Sequence, residues 1–396
     1  MIPSFDRVII LADDSANWQI GGLRQLDRLA LALDEFARSI SSQRKIEIVI
    51  FWRPDTAAEN RWRPHHPRLT RCNFVEGLKL GATERFLNTR LVVRRGGIDQ
   101  LLSDAMSLEF DPLIGDESAV WENLWRRIEI LRANATPSQT ANAWRYVASS
   151  SEIPQAERWL LRGSGKSRDG FVSRCLNRPI SRIVSQFLLK TPMTPNLWTL
   201  LITLFPIVGF LFLIRGTYAG FVIGAALFNV QSILDGCDGE IARAKYLDSE
   251  QGPGIDAIGD LISLLLFSLG LGFGLFRSAQ PHAVTHWVFL GEGVLAFVAI
   301  ALRLVPDHVL DLLRRGPAAV VFTEDDERLR QSGGRVFGNR LTSLGFELTK
   351  RDVAFFVFLV AIALGLAPWV MHLLFTYAVG TFILSSRGRA AGKRIA

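Results

Sequence analysis

The chain has 396 residues, 49% of them hydrophobic, and a formal net charge of +7, a length that accommodates two or three domains. Its three cysteines, Cys72, Cys175 and Cys237, lie far apart with no CxxC pair, which excludes a disulfide framework and a cysteine-based zinc site. The basic excess comes without an aromatic and basic motif for nucleic acid, so no nucleic-acid partner is expected; arginine-rich loops facing anionic lipid account for it.

In chain order, residues 1–14 contain Asp6 and Arg7 and no small-residue cleavage site, so no cleaved signal is expected and the first domain is expected in the cytoplasm. Apolar, β-rich runs follow at 7–12, 46–52 and 90–94, and 23–39 places apolar residues at helical steps. Alternating strand and helix predict an α/β domain with a largely parallel sheet over residues 1–160. Next, 171–190 sets Phe171, Val172, Leu176, Ile180, Ile183 and Phe187 at helical spacing among Arg174, Arg178, Arg182 and Lys190. A basic amphipathic helix of this kind, within a linker at 161–195, lies along lipid headgroups. Thr194 then stands as a cap, with Pro195 in the first turn of the opening span.

Six apolar segments of spanning character follow, at 196–214, 217–234, 255–276, 284–304, 353–366 and 369–384. They predict an all-α, six-helix transmembrane domain over 196–386 with a basic tail at 387–396. Six spans put both termini on one side. Arg243, Lys245, Arg314, Arg315, Lys350, Arg351, Arg387 and Lys393 fall on that side, against Arg215 and Arg277 opposite, which makes it the cytoplasmic side of a cell membrane. The long connection 306–351, with its acids at 324–327 and its Gly333-Gly334 pair, offers no reading.

The informative segment runs from Leu234 to Leu261. Asp235 and Asp238 are three apart, Asp256 and Asp260 are four apart, and each pair therefore shares a helix face. Gly252-Pro253-Gly254 between them reads as a turn. A hairpin at the end of one span and the start of the next brings four carboxylates together. Such a group needs neutralising, which hard divalent cations do best: Mg²⁺ or Mn²⁺, two ions being suited to the oxygens of a pyrophosphate. Gly239 and Gly252 leave room for close approach of a ligand, and Arg243 offers a forked donor to phosphate. Solvated loop charge explains Asp248 and Glu250, which receive no role, but not the paired spacing.

This segment resembles the signature of the CDP-alcohol phosphotransferase family, also called CDP-alcohol phosphatidyltransferases. The pattern is Asp-x2-Asp-Gly-x2-Ala-Arg-x8-Gly-x3-Asp-x3-Asp, here Asp235, Asp238, Gly239, Ala242, Arg243, Gly252, Asp256 and Asp260 with every spacing intact. Eight fixed positions at roughly one in twenty each recur by chance about once in 10¹⁰ windows. The resemblance implies a dimeric six-helix membrane enzyme that transfers a phospho-alcohol group from a CDP-alcohol to a hydroxyl acceptor and releases CMP, in phospholipid or inositol-phosphate-type synthesis. It also implies Asp235, Asp238, Asp256 and Asp260 as metal ligands, Asp260 as general base, and Gly239, Ala242, Arg243, Gly252 and Asn196 around the CDP-alcohol. Lys190, Arg303, Lys350 and Arg351, cations near span ends, are candidates for holding an anionic acceptor. Two other readings stay open at this point, a scaffold that keeps the fold without the chemistry and a small transporter. Asp260 opposes the first; the second needs acids deep in several spans, where essentially only Glu292 qualifies.

The layout, with 169–181 at the junction, is similar to fused inositol-phosphate cytidylyltransferase and di-inositol-phosphate phosphate synthase proteins. That group implies a nucleotidyltransferase-like first domain, with a Gly-rich turn, an Arg and a Pro-Lys pair after the first strand. Here 11–22 reads LADDSANWQIGG, placing Asp13 and Asp14 where phosphate would approach. The expectation is a degenerate nucleotidyltransferase-like domain, with an active cytidylyltransferase and an unrelated α/β domain as the open alternatives.

Overall fold

The computed structural model describes residues 7–40, 45–76, 85–104, 116–134, 143–162, 171–249, 252–279, 285–315 and 350–392. Most of the 306–351 connection lies outside them. The chain divides into two compact units. The first comprises Met1–Ser164 together with Gln186–Pro192 and Arg243–Tyr246; the second comprises Gly165–Ser185, Met193–Ala242 and Leu247–Ala396.

In the first unit the strands are β1 (Arg7–Ala12), β2 (Gln19–Ile20), β3 (Leu23–Arg24), β4 (Ile46–Trp52), β5 (Cys72–Phe74), β6 (Arg85–Asn88), β7 (Leu91–Val93) and β8 (Trp144–Tyr146). Its helices are α1 (Gln25–Ile40), α2 (Ile98–Asp104), α3 (Glu117–Asn134) and α4 (Ile153–Arg162). β5, β4, β1 and β6 form a parallel sheet in that order, with Ile10 opposite Ile50 on one side and Leu87 on the other. Val8 to Ala12 are wholly buried, as a strand inside a parallel sheet requires, and the run is apolar without alternation for that reason.

Two strand expectations change. The run at 90–94 is strand β7, but it pairs antiparallel with β8 outside the main sheet. The place beside β1 belongs to β6, a four-residue strand bounded by Arg85 and Asn88, too short and too polar at its ends to show a period. Its last residue, Asn88, is nonetheless wholly buried.

The additional pieces of this unit are well anchored. Tyr246 is buried and has a φ of +53°; its ring lies 5.9 Å from the buried guanidinium of Arg28, and its carbonyl accepts from Arg68. The Lys245 ammonium donates to the Thr191 carbonyl at 2.6 Å. Leu161, Leu189 and Ala244 close a small apolar cluster.

The second unit is helical: α5 (Arg178–Leu189, which continues into the first unit), α6 (Pro195–Ile202), α7 (Leu204–Leu213), α8 (Tyr218–Leu234), α9 (Gly236–Lys245), α10 (Gly252–Ser278), α11 (Thr285–Arg315), α12 (Arg351–Ala363) and α13 (Ala367–Gly392). A single wide π turn at Ser173–Asn177 precedes α5, and Phe171, Ile183 and Phe187 stay exposed along this amphipathic segment. The Thr194 hydroxyl accepts from the Leu197 amide at 3.4 Å and Pro195 occupies the first turn, so the expected cap is formed.

Among the described residues, five helices are long and apolar enough to cross a membrane: Pro195–Leu213, Tyr218–Lys245, Gly252–Ser278, His286–Leu304 and Ala367–Ser386. The expected span at 353–366 is α12, whose 13 residues rise about 20 Å against a hydrocarbon core of about 30 Å. On one face of α12, Phe355 and Phe358 meet Phe267, at ring-centroid distances of 5.4 Å and 5.7 Å, while Val357 and Val360 stay exposed on the other. α13 continues to Gly392, so the expected tail begins as helix. Glu292, the isolated acid expected within the spans, is hydrogen-bonded with His372 Nδ1 at 2.7 Å.

Candidate active site

The site forms where α8 passes into α9 and where α10 begins. Asp235 follows the last residue of α8, Asp238 lies in the first turn of α9, and Asp256 lies just inside α10. Gly252-Pro253-Gly254, expected as a turn, is instead the first turn of α10, where proline loses no helical hydrogen bond.

Asp235, Asp238 and Asp256 each bring a carboxylate oxygen within 4.8 Å of the others. Asp260, one turn beyond Asp256, is outside this group: the Arg351 guanidinium pairs with it and with Asp235, the latter at 2.5 Å. Arg351 thus reaches the carboxylates from the start of α12. Lys350 precedes it as the cap residue and is half-buried, as is Arg303 on α11; Lys190 is exposed and belongs to the first unit.

Around the carboxylates, the Asp238 Oδ2 accepts from the Thr199 hydroxyl at 2.9 Å, and its Oδ1 accepts from the Gly239 amide. Asn196 and Gly252 are neighbours, since a Cβ on Gly252 would stand 4.0 Å from Asn196 Oδ1. The Trp198 indole donates to the carbonyl of Leu234 at 3.0 Å, tying α6 to the end of α8. Ala242 and Arg243 lie on the last turns of α9, both half-buried.

Beneath the motif is an ion pair that the sequence pattern does not reveal. Glu240 is wholly buried and its Oε1 accepts from Arg178 at 3.3 Å and from the Ser181 hydroxyl at 3.0 Å. Gly236 makes room for it, because a Cβ there would come within 3.1 Å of Arg178 Nη1. Thr199 was equally silent in the sequence, although it lies three residues after Asn196 and so shares its helix face.

Three convergent carboxylates suit a hard divalent cation. Asp256 Oδ1 is buried with no hydrogen-bond partner, which is costly for an anionic oxygen unless a cation satisfies it, so the residues fit such an ion. Fold and site together define a multi-pass membrane protein with a carboxylate centre at the junction of its spans.

Residues 192–385 match the model of the CDP-alcohol phosphatidyltransferase family. A curated relative from Thermococcus kodakarensis, named bifunctional IPC transferase and DIPP synthase, is 38% identical over 132 residues, covering 32% of this chain and 29% of its own. Relatives of the same name from Rubrobacter xylanophilus and Archaeoglobus fulgidus are 34% identical over 163 residues and 37% over 125. The matches span 40% and 31% of this chain, and 37% and 24% of those relatives.

Proposed function

We propose that the protein is a divalent-metal-dependent phosphotransferase that moves a phospho-alcohol group from a CDP-alcohol to a hydroxyl acceptor. The observation that carries this reading is the convergence of Asp235, Asp238 and Asp256 within 4.8 Å, inside the segment that matches the family. Asp235, Asp238 and Asp256, with Asp260 as a further member, would hold Mg²⁺ or Mn²⁺. The bound metal supplies charge neutralisation along the pyrophosphate of the donor.

The chain's own residues do the rest. Asn196, Gly239, Ala242, Arg243 and Gly252 shape the place of the CDP-alcohol, and Arg351 orients Asp235 and Asp260. An Asp260 carboxylate oxygen takes the proton of the acceptor hydroxyl. The acceptor oxygen then bonds to the β-phosphorus while the bond from that phosphorus to CMP breaks, and CMP leaves. Lys190, Arg303 and Lys350 are candidates for an anionic acceptor of the inositol-phosphate type. Support for a cytoplasmic site in a cell membrane comes from the Arg and Lys asymmetry of the loops; a homodimer is proposed from the family alone.

The test is CMP release by purified full-length protein with Mg²⁺, over a panel of CDP-diacylglycerol, CDP-inositol, CDP-choline and CDP-ethanolamine against alcohol acceptors. Release with at least one pair is expected, and lost in Asp260→Asn. A protein that releases no CMP from any donor, or is indifferent to Asp260→Asn, is a scaffold.

A further inference from the structure

Outside the carboxylate site, a bonded polar cluster lies in the first unit, at the carboxyl ends of β1 and β6. In the order β5-β4-β1-β6, the chain winds outward from β1 through β4 to β5, then returns to β6 on the other side of β1. The connections diverge between β1 and β6, and the crevice beyond the carboxyl ends of two such strands is where open α/β sheets take their ligands. Donors of the right kind are present there: the Ser15 amide and hydroxyl, the Thr89 hydroxyl and the Arg90 guanidinium. Backbone amides, hydroxyls and a forked arginine are what hold a phosphate elsewhere.

All of them point at Asp13. Its Oδ1 accepts from the Ser15 amide at 2.9 Å, from the Ser15 hydroxyl, and from the Thr89 hydroxyl at 3.2 Å. Its Oδ2 accepts from Arg90 at 3.0 Å, and the Arg90 guanidinium lies 5.1 Å from the Trp125 ring. Asp13 is 7% exposed, and Ser15 and Thr89 are wholly buried, so the carboxylate and its hydroxyl donors are closed over.

We infer that Asp13 is the internal occupant of this crevice. The chain's own carboxylate takes the donors that a phosphoanion would need, and Asp14 adds a second like charge beside it. The first unit therefore holds no nucleoside triphosphate and forms no activated alcohol. The CDP-alcohol used by the carboxylate site arises in a separate cytidylyl transfer, in which an oxygen of an alcohol phosphate bonds to the α-phosphorus of CTP and pyrophosphate leaves. Only the identity of that substrate rests on the proposed phosphotransferase; the occupancy of the crevice does not.

The experiment uses full-length protein in detergent micelles and has separable arms. With CTP, Mg²⁺ and a panel of alcohol phosphates, pyrophosphate release stays at background; release above background overturns the inference. With preformed CDP-alcohols, CMP release tests the phosphotransferase alone, so the two failures are distinguishable. In a thermal-shift arm, Asp13→Ala melts lower than the wild type, and inorganic phosphate raises the melting point of the variant but not of the wild type. A phosphate shift equal in both proteins, or absent from the variant, overturns the crevice as an anion cradle. Should Asp13→Ala not fold, Asp13→Asn, which keeps the shape and removes the charge, replaces it, and the pyrophosphate arm decides independently of either variant.

Discussion

Glu240 stands between two functional positions of the motif, yet its carboxylate is engaged by Arg178 and Ser181. Removing one partner of a buried ion pair strands the other charge, at a cost of about 3–5 kcal/mol. Glu240→Ala should therefore lower the thermal midpoint of the detergent-solubilised protein strongly. The apolar pair Arg178→Met with Glu240→Leu should recover much of the loss, and an unchanged midpoint in Glu240→Ala would refute the pairing. At the carboxylates, Asp256→Asn should reduce CMP release by at least about 100-fold and weaken Mn²⁺ binding measured by electron paramagnetic resonance. Thr199→Val removes the hydroxyl that holds Asp238 and should weaken Mn²⁺ affinity about tenfold while leaving the protein folded. In the first unit, burial and then the hydrogen bond to Glu129 push the Tyr146 phenol up to about 12. The folded state thus favours the neutral phenol. Its contribution is complete below pH about 10, the ordinary value, and is lost as pH rises to about 12. Melting followed from pH 9 to 12 should show the decline, with a shallower slope in Tyr146→Phe.

At the scale of elements, helix crossings in the membrane unit depend on glycine. A Cβ on Gly272 would stand 2.7 Å from the Gly293 Cα and 2.9 Å from the Phe289 carbonyl, so α10 and α11 approach backbone to backbone. Gly272→Val should force them apart and lower the thermal midpoint, whereas Gly291→Ala, with open space around its Cβ position, should not; equal midpoints would refute the close crossing. No sequence spacing announced this pair, because its two glycines sit on different helices. β1, β4 and α1 were legible because each is long enough to show its period. β6 was not, since its place is fixed by pairing with β1 rather than by its own residues. The carboxylate pairing was legible because its acids fall three and four residues apart, on shared helix faces. The supporting contacts of Thr199, Arg178 and Arg351 come from distant segments, and only the folded chain brings them in.

At the scale of the molecule, the α/β character of the first part and the helical membrane character of the second follow from composition and period alone. α12 is shorter than the apolar run that announces it, a helix of 13 residues.

The first unit is not one stretch of chain: Gln186–Pro192 and Arg243–Tyr246 belong to it along with Met1–Ser164. During synthesis its last piece therefore emerges on the order of ten seconds after Ser164 at ordinary elongation rates, once most of the first helices of the second unit have been made. Until then Arg28 has no Tyr246 ring beside it and Leu161 lacks both Leu189 and Ala244. The first unit is thus complete only once the chain has been made through Tyr246, and a fragment ending at Ser164 would behave as an unfinished protein, lacking the pieces that close its apolar cluster.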